Sequence, residues 1–161
     1  MEFKAHVISF ISCFIAINCF AQEFKEHKAF VLHEQSQLKH DTIHYKTYRI
    51  EDGQNLVFEF ISDNGGDPGN RSLADSRVTF YIPSGITNFE FKDEDLLEAG
   101  ALYIQRCHCQ DKGIHMLNKG VINGAKHYDG SWSVSLDVTF LGRNTDKVYH
   151  IVESGTYKRI E

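Results

Sequence analysis

The sequence predicts an all-β fold: an antiparallel β-sandwich, with a barrel as the alternative, of about ten short strands and one short helix. Three observations carry this expectation. Apolar residues recur with a period of two along most of the chain, polar or glycine-containing breaks separate those runs, and only one stretch carries helix signals. Composition agrees, because 161 residues that are 42% hydrophobic and 24% charged, with 12 Gly and 2 Pro, describe an ordinary globular domain rather than a collagen-like or disordered chain.

The first segment stands apart from this pattern. Residues 1–21 read MEFKAHVISFISCFIAINCFA: a polar start with Lys4, an apolar run from Val7 to Ile17, and a small-residue site that places Cys19 and Ala21 at positions −3 and −1. That is the layout of a secretory signal peptide cleaved near Ala21, which predicts a secreted or periplasmic protein. The apolar run is too short for the roughly 20 residues of a membrane span, and no later stretch is apolar enough to be a transmembrane segment. A lipid anchor at Cys19 is disfavoured, because Asn18 stands where a lipobox wants Gly, Ala or Ser. Cleavage removes Cys13 and Cys19 and leaves only Cys107 and Cys109, so the core rather than a disulfide framework must stabilise the fold.

Residues 22–39 are charged and weakly periodic, and read as a partly mobile lead-in with a short strand signal at 29–33. Residues 40–161 then form a single β-sandwich domain. Its strands begin with the weak alternation of Ile43, Tyr45 and Thr47 and continue with Leu56, Phe58 and Phe60, then Val78, Phe80 and Ile82. Further strands are expected at 86–91, 101–109, 113–117, 121–126, 147–153 and 156–160. The clearest has Trp132, Val134, Leu136, Val138 and Phe140 alternating with a Ser-rich face that should see water. The helix is expected at 93–99 (DEDLLEA), where acidic residues suit the positive N-terminus and Gly100 suits the C′ position.

Seventeen basic against 22 acidic side chains give a formal charge of −5, which argues against nucleic acid as a partner. The run from Arg106 to Met116, RCHCQDKGIHM, is the richest in chemistry. A hairpin turning about Asp111 and Lys112 would oppose Cys109 to Ile114, His108 to His115 and Cys107 to Met116. Three readings follow. Cys107, Cys109, Ile114 and Met116 could pack as an apolar patch with His108 and His115 paired in water; Cys107 and Cys109 could join as a disulfide; or Cys107/Cys109 or His108/His115 could hold a copper or zinc ion. An extended i, i+2 pair lies at or beyond the allowed disulfide separation, so the second reading requires a bend. One conflict attends this register, since Leu102 and Ile104 share parity with His108.

Asp63, Asn64, Asp67, Asn70 and Asp75 place oxygen donors in and beside a long loop, a candidate binding segment and a candidate calcium site at Asp63 and Asp67. The spacing is not that of an EF-hand, and these are also ordinary turn residues. No nucleophile elbow, metalloprotease helix or phosphate-binding loop is present, so no catalytic residue is assigned. His40-Asp41 and His127-Tyr128-Asp129 read as surface residues, because strand neighbours point to opposite faces.

A signal peptide ending Cys-Phe-Ala-Gln, a Cys-x-Cys strand, Gly120-Val121-Ile122-Asn123-Gly124, Gly130-Ser131-Trp132-Ser133-Val134 and Ser154-Gly155-Thr156-Tyr157 together resemble small secreted all-β proteins of unknown function from Bacteroidota. The resemblance covers roughly residues 75–160 in outline and implies compartment and architecture only. Gly130-Ser131-Trp132 also resembles the Gly-x-Trp of lipocalins, but in that family the motif opens the first strand, whereas here it falls late in the chain. The sequence therefore leads to the expectation of a secreted or periplasmic, non-catalytic β-sandwich that binds a protein or glycan through loops at the ends of its sheets. A barrel carrier of a small apolar ligand, prompted by 12 Phe and 7 Tyr, and a metal or redox protein using Cys107 and Cys109 are the alternatives.

Overall fold

The computed structural model describes residues 27–40, 47–63 and 75–159. The expected signal peptide with Cys19 and Ala21, and the candidate donors Asn64, Asp67 and Asn70, lie outside these residues. The strands are β1 (His27–His40), β2 (Tyr48–Asp52), β3 (Asn55–Asp63), β4 (Asp75–Pro83), β5 (Asn88–Lys92), β6 (Leu102–Arg106), β7 (Gly113–Met116), β8 (Lys119–Lys126), β9 (Trp132–Leu141) and β10 (Val148–Arg159), with helix α1 (Asp95–Glu98) between β5 and β6. Among the described residues no helix is long and apolar enough to cross a membrane. The alternation in β9 is realised as expected, with Trp132, Val134, Leu136, Val138 and Phe140 buried and Ser133, Asp137 and Leu141 exposed. The helix stops before Gly100, whose φ of 59° is a left-handed conformation that suits glycine.

The strands form one open sheet in the order β5-β8-β9-β10-β1-β3-β4-β6-β7, with β2 paired to β1. The barrel alternative is thereby corrected: β5 and β7 are the two ends and do not join. The expectation of a wholly antiparallel sheet is corrected at one seam, where β1 runs parallel to β10 through Val31↔Lys158 and Leu32↔Arg159. The strands expected at 147–153 and 156–160 are one continuous strand, because Ser154 and Gly155 stay in register with Ser135 and Val134 of β9.

The sheet folds on itself. Strands β3 and β5 are five steps apart in the order, which in a flat sheet would separate them by roughly 24 Å. Yet the ring centroids of Phe58 on β3 and Phe89 on β5 lie 5.8 Å apart. Between the two halves the rings interlock: Phe58 stacks on Phe80 at 4.9 Å and meets Trp132 edge-on at 5.5 Å and Tyr157 at 5.3 Å. The aromatic residues thus fill the space between facing layers instead of lining a cavity. Leu96 of α1, fully buried, joins the same core.

The boundary drawn between a lead-in and the domain at residue 40 is also corrected. Residues His27–His40 form the strand that joins the halves, pairing with β3 from His27↔Asp63 to His33↔Val57. Its weak periodicity has a physical cause. The register shifts between His33 and Ser36, and Gln35 adopts φ of 49°, so the alternation changes phase within the strand. Beyond this bulge Ser36 to His40 pair with β2, and the ribbon bends over the outer face of the sheet. There Leu38 and Tyr48 cover a second apolar cluster of Leu102, Ile104 and Ile114.

Two substitutions test the packing. Trp132 is fully buried, so Trp132→Ala should cost about 3 to 5 kcal/mol; a chemical denaturation midpoint close to wild type would show that its ring is not an anchor. The Tyr157 hydroxyl is buried without a hydrogen-bond partner among the described residues. Tyr157→Phe should therefore leave the melting temperature unchanged or raise it, and a marked drop would contradict this account.

Candidate functional site

The β6–β7 connection sets the site. Its register differs from the expected one: Leu102 opposes Met116, Tyr103 opposes His115, Ile104 opposes Ile114 and Gln105 opposes Gly113. This shift removes the parity conflict, because Leu102, Ile104 and Ile114 now share one face and pack as a cluster. Hydrophobic burial on two faces outweighed the tighter turn. The shift is by an odd number of residues, so His115 moves to the opposite face. It is buried and stacks near Phe140 at 4.7 Å instead of pairing with His108 in water.

Strand pairing ends at Arg106, and Cys107, His108 and Cys109 fall in a bend that closes the Cys107–Cys109 disulfide, with Cα atoms 5.2 Å apart. The bend brings the pair inside the usual disulfide range. The expectation of Cys107 and Cys109 as an apolar patch against Ile114 and Met116 is corrected, since both cysteines sit in the loop and Cys109 is exposed. With both sulfurs in the disulfide, neither is a thiolate ligand. Among the described residues no group of three His, Cys, Asp or Glu is placed to hold a metal ion.

Asp111 anchors this loop to the turn between β9 and β10. Its buried carboxylate accepts from the backbone N–H groups of Asn144 (2.8 Å) and Thr145 (3.2 Å), from the Thr145 hydroxyl, and from the Tyr149 hydroxyl (3.0 Å). The Thr145 hydroxyl, with the other donors, holds the carboxyl below the usual carboxylate range against the opposing effect of burial. Position 142 must be glycine for this contact, because a Cβ there would lie 2.4 Å from the Asp111 carboxylate oxygen. On the other side of the loop, His115 donates from Nε2 to the Asp111 carbonyl at 2.7 Å. Burial pushes the His115 pKa down.

Between this braced loop and the folded-over β2 lies a half-open cleft of about 790 Å³. Ile104 and Ile114 form its base, Tyr48 and Cys107 wall it, and Arg106, Lys112 and Arg143 are its charged lining. Tyr48 is held from beneath. Its hydroxyl donates to Glu59 at 2.8 Å, Arg77 donates to the same carboxylate oxygen at 2.9 Å and to Asp75 at 2.9 Å, and His33 lies 3.4 Å from the other Glu59 oxygen. Burial raises the Glu59 pKa, but the hydrogen bonds from His33, Arg77 and Tyr48 outweigh it and hold the carboxyl at about 2. Burial, and then the Glu59 charge, push the Tyr48 hydroxyl up to about 12. Tyr48 is therefore a neutral, fixed wall.

Of the candidate oxygen donors, Asp63 and Asp75 face each other at the ends of β3 and β4. Asp75 is engaged with Arg77 and has Arg106 Nε at 3.8 Å, so it serves an ion-pair network here. The sequence reading singled out the run containing Arg106, Cys107 and Lys112 but missed Tyr48, Arg143 and the anchoring role of Asp111. Those residues come from segments far apart in the chain, and no local spacing marks them. Compared with known proteins, the chain matches no family model, no curated sequence and no solved structure.

Two measurements check this geometry. Glu59 is charged in the folded protein down to about pH 2, against 4.5 for the free group. Its contribution is fully present above pH 4.5 and is lost as pH falls toward 2. The gap in melting temperature between wild type and Glu59→Gln should therefore narrow over that window; a gap independent of pH would refute the assignment. Asp111→Ala removes the acceptor of the Asn144 and Thr145 amides, so hydrogen exchange should accelerate at those two positions while β3 and β4 stay protected.

Proposed function

We propose that this chain is a secreted, non-catalytic binding protein whose ligand seat is the cleft between β2 and the β6–β7 loop. The observation that carries this reading is the cleft itself. About 790 Å³ suits a small molecule or the terminal unit of a peptide or glycan, and both walls are pre-formed by hydrogen-bond networks rather than by loose side chains. Glu59 locks Tyr48 on one side, and Asp111 with the Cys107–Cys109 disulfide locks the other. Its described lining contains no carboxylate, imidazole or free thiol, and the Tyr48 hydroxyl is committed to Glu59. Export rests on the leader-like segment before Gln22, and an oxidising compartment would maintain the disulfide.

Titrating the isotopically labelled mature protein with a charge-balanced fragment library tests the reading. Backbone amide shifts should cluster at Tyr48, Ile104, Gly113 and Asn144. Hits that spread over the Ser-rich face of β9, or the absence of hits, would overturn it.

A further inference from the structure

We propose that the cleft captures a small thiol with an apolar body by exchange with the Cys107–Cys109 disulfide. This rests on the cleft being the ligand seat and deepens that reading by naming the chemistry of the ligand. The two cysteines stand in unequal positions. Cys107 is half-buried and lines the cleft, whereas Cys109 is exposed and lies outside the lining. One cysteine therefore faces a seated ligand and the other faces water.

The fold does not depend on this bond. It spans a single residue, His108, and a cross-link that closes so short a loop removes little freedom from the unfolded chain. The loop is held instead by the pairs Ile104↔Ile114 and Gln105↔Gly113 at its base, and by the Asp111 carboxylate, which accepts from Asn144, Thr145 and Tyr149. Both cysteines lie beyond Arg106, whose partner Asp75 closes the β4–β6 ladder, so opening the bond breaks no strand pairing. Exposed disulfides are the ones most open to exchange. Here exchange leaves both walls of the cleft standing.

A thiolate is the nucleophile that attacks a disulfide sulfur. A ligand thiolate seated in the cleft forms a bond to Cys107 Sγ, the Cys107–Cys109 bond breaks, and Cys109 leaves as a thiolate. The proton given up by the ligand thiol is taken up there, in water. One disulfide is exchanged for another, so no outside oxidant or reductant is consumed. Return attack by Cys109 on the mixed disulfide expels the ligand, which makes the capture reversible. Ile104, Ile114 and the Tyr48 ring offer the body of the ligand an apolar surface in the same cleft. A thiol without such a body leaves that surface unused and gains nothing from the seat.

The test compares two alkyl thiols, benzyl mercaptan and 2-mercaptoethanol, each at about 1 mM on the mature protein, with excess N-ethylmaleimide as the quench. Intact mass and peptide mapping read the products. Benzyl mercaptan should add once, to Cys107, with the maleimide on Cys109, and should do so roughly tenfold faster than 2-mercaptoethanol. In concentrated urea that preference should vanish and the adduct should spread over both cysteines. The benzyl adduct should shift the backbone amides of Tyr48, Ile104 and Gly113. The double variant Cys107→Ala, Cys109→Ala should form no adduct and keep a melting temperature within about 4 °C of wild type. A disulfide that neither thiol opens, while fragments still shift the cleft amides, would overturn thiol capture and leave the seat. Adducts on Cys109, or equal rates for the two thiols, would overturn attack from within the cleft. An adduct on Cys107 that shifts no cleft amide would count against the seat itself. Unfolding of the double variant would overturn the claim that the fold is independent of the bond.

Discussion

The ring of Phe58 is the contact on which the architecture depends. It touches Phe80, Phe89, Trp132 and Tyr157, and so reaches β4 in its own half of the sheet and β5, β9 and β10 in the other. The backbone seam between the halves is short, with the parallel register of β1 and β10 recorded for Val31 and Leu32. A ladder of that length cannot set the angle between two layers. Interdigitated aromatic rings can, because close packing resists sliding and each ring has several neighbours. At the other end of the molecule Phe140 repeats the device, meeting Tyr103 at 4.5 Å, His115 at 4.7 Å and Tyr149 at 4.8 Å. Side chains thus bring β6 and β7 against β9 and β10 without closing the hydrogen-bonded sheet.

A folded sheet still leaves an outer face, and the β1–β2 ribbon covers part of it. The bulge at Gln35 lets the ribbon turn back, so Tyr48 reaches Glu59 although both lie on the same chain segment only eleven positions apart. Glu59 would be costly to bury alone. Arg77, Tyr48 and His33 satisfy it, and Asp75 in turn satisfies Arg77. Both Glu59 oxygens therefore have partners, and the by-product of this network is a rigid wall for the cleft.

The opposite wall owes its shape to the residues between β6 and β7. A short hairpin would have placed Cys107 and Cys109 on a strand. Instead the chain bends, the two sulfurs join, and Asp111 turns inward to bind the β9–β10 turn. Binding surfaces commonly sit on loops held by a stiff scaffold, and here the stiffness is visible as specific hydrogen bonds. The cleft and its cations follow from that anchoring.

Local patterns in the sequence were enough to determine the all-β class, the strands around Phe58, Phe80 and Trp132, the short helix ending at Gly100 and the water-facing Ser-rich side of β9. Each depends on neighbours two to four residues apart, which is the range over which backbone geometry dictates orientation. The chemical interest of the run from Arg106 to Met116 was legible for the same reason, since its unusual residues are adjacent. Only the tertiary structure decided the register of that run, the inclusion of His27–His40 as the joining strand, the open rather than closed sheet, and the meeting of Tyr48, Arg106, Lys112 and Arg143. Register is chosen by competition between two buried faces, and one of them, the cluster of Leu102, Ile104 and Ile114, exists only after β2 folds over it. Contacts of that kind join residues distant in the chain, and their energies appear only once the layers are assembled.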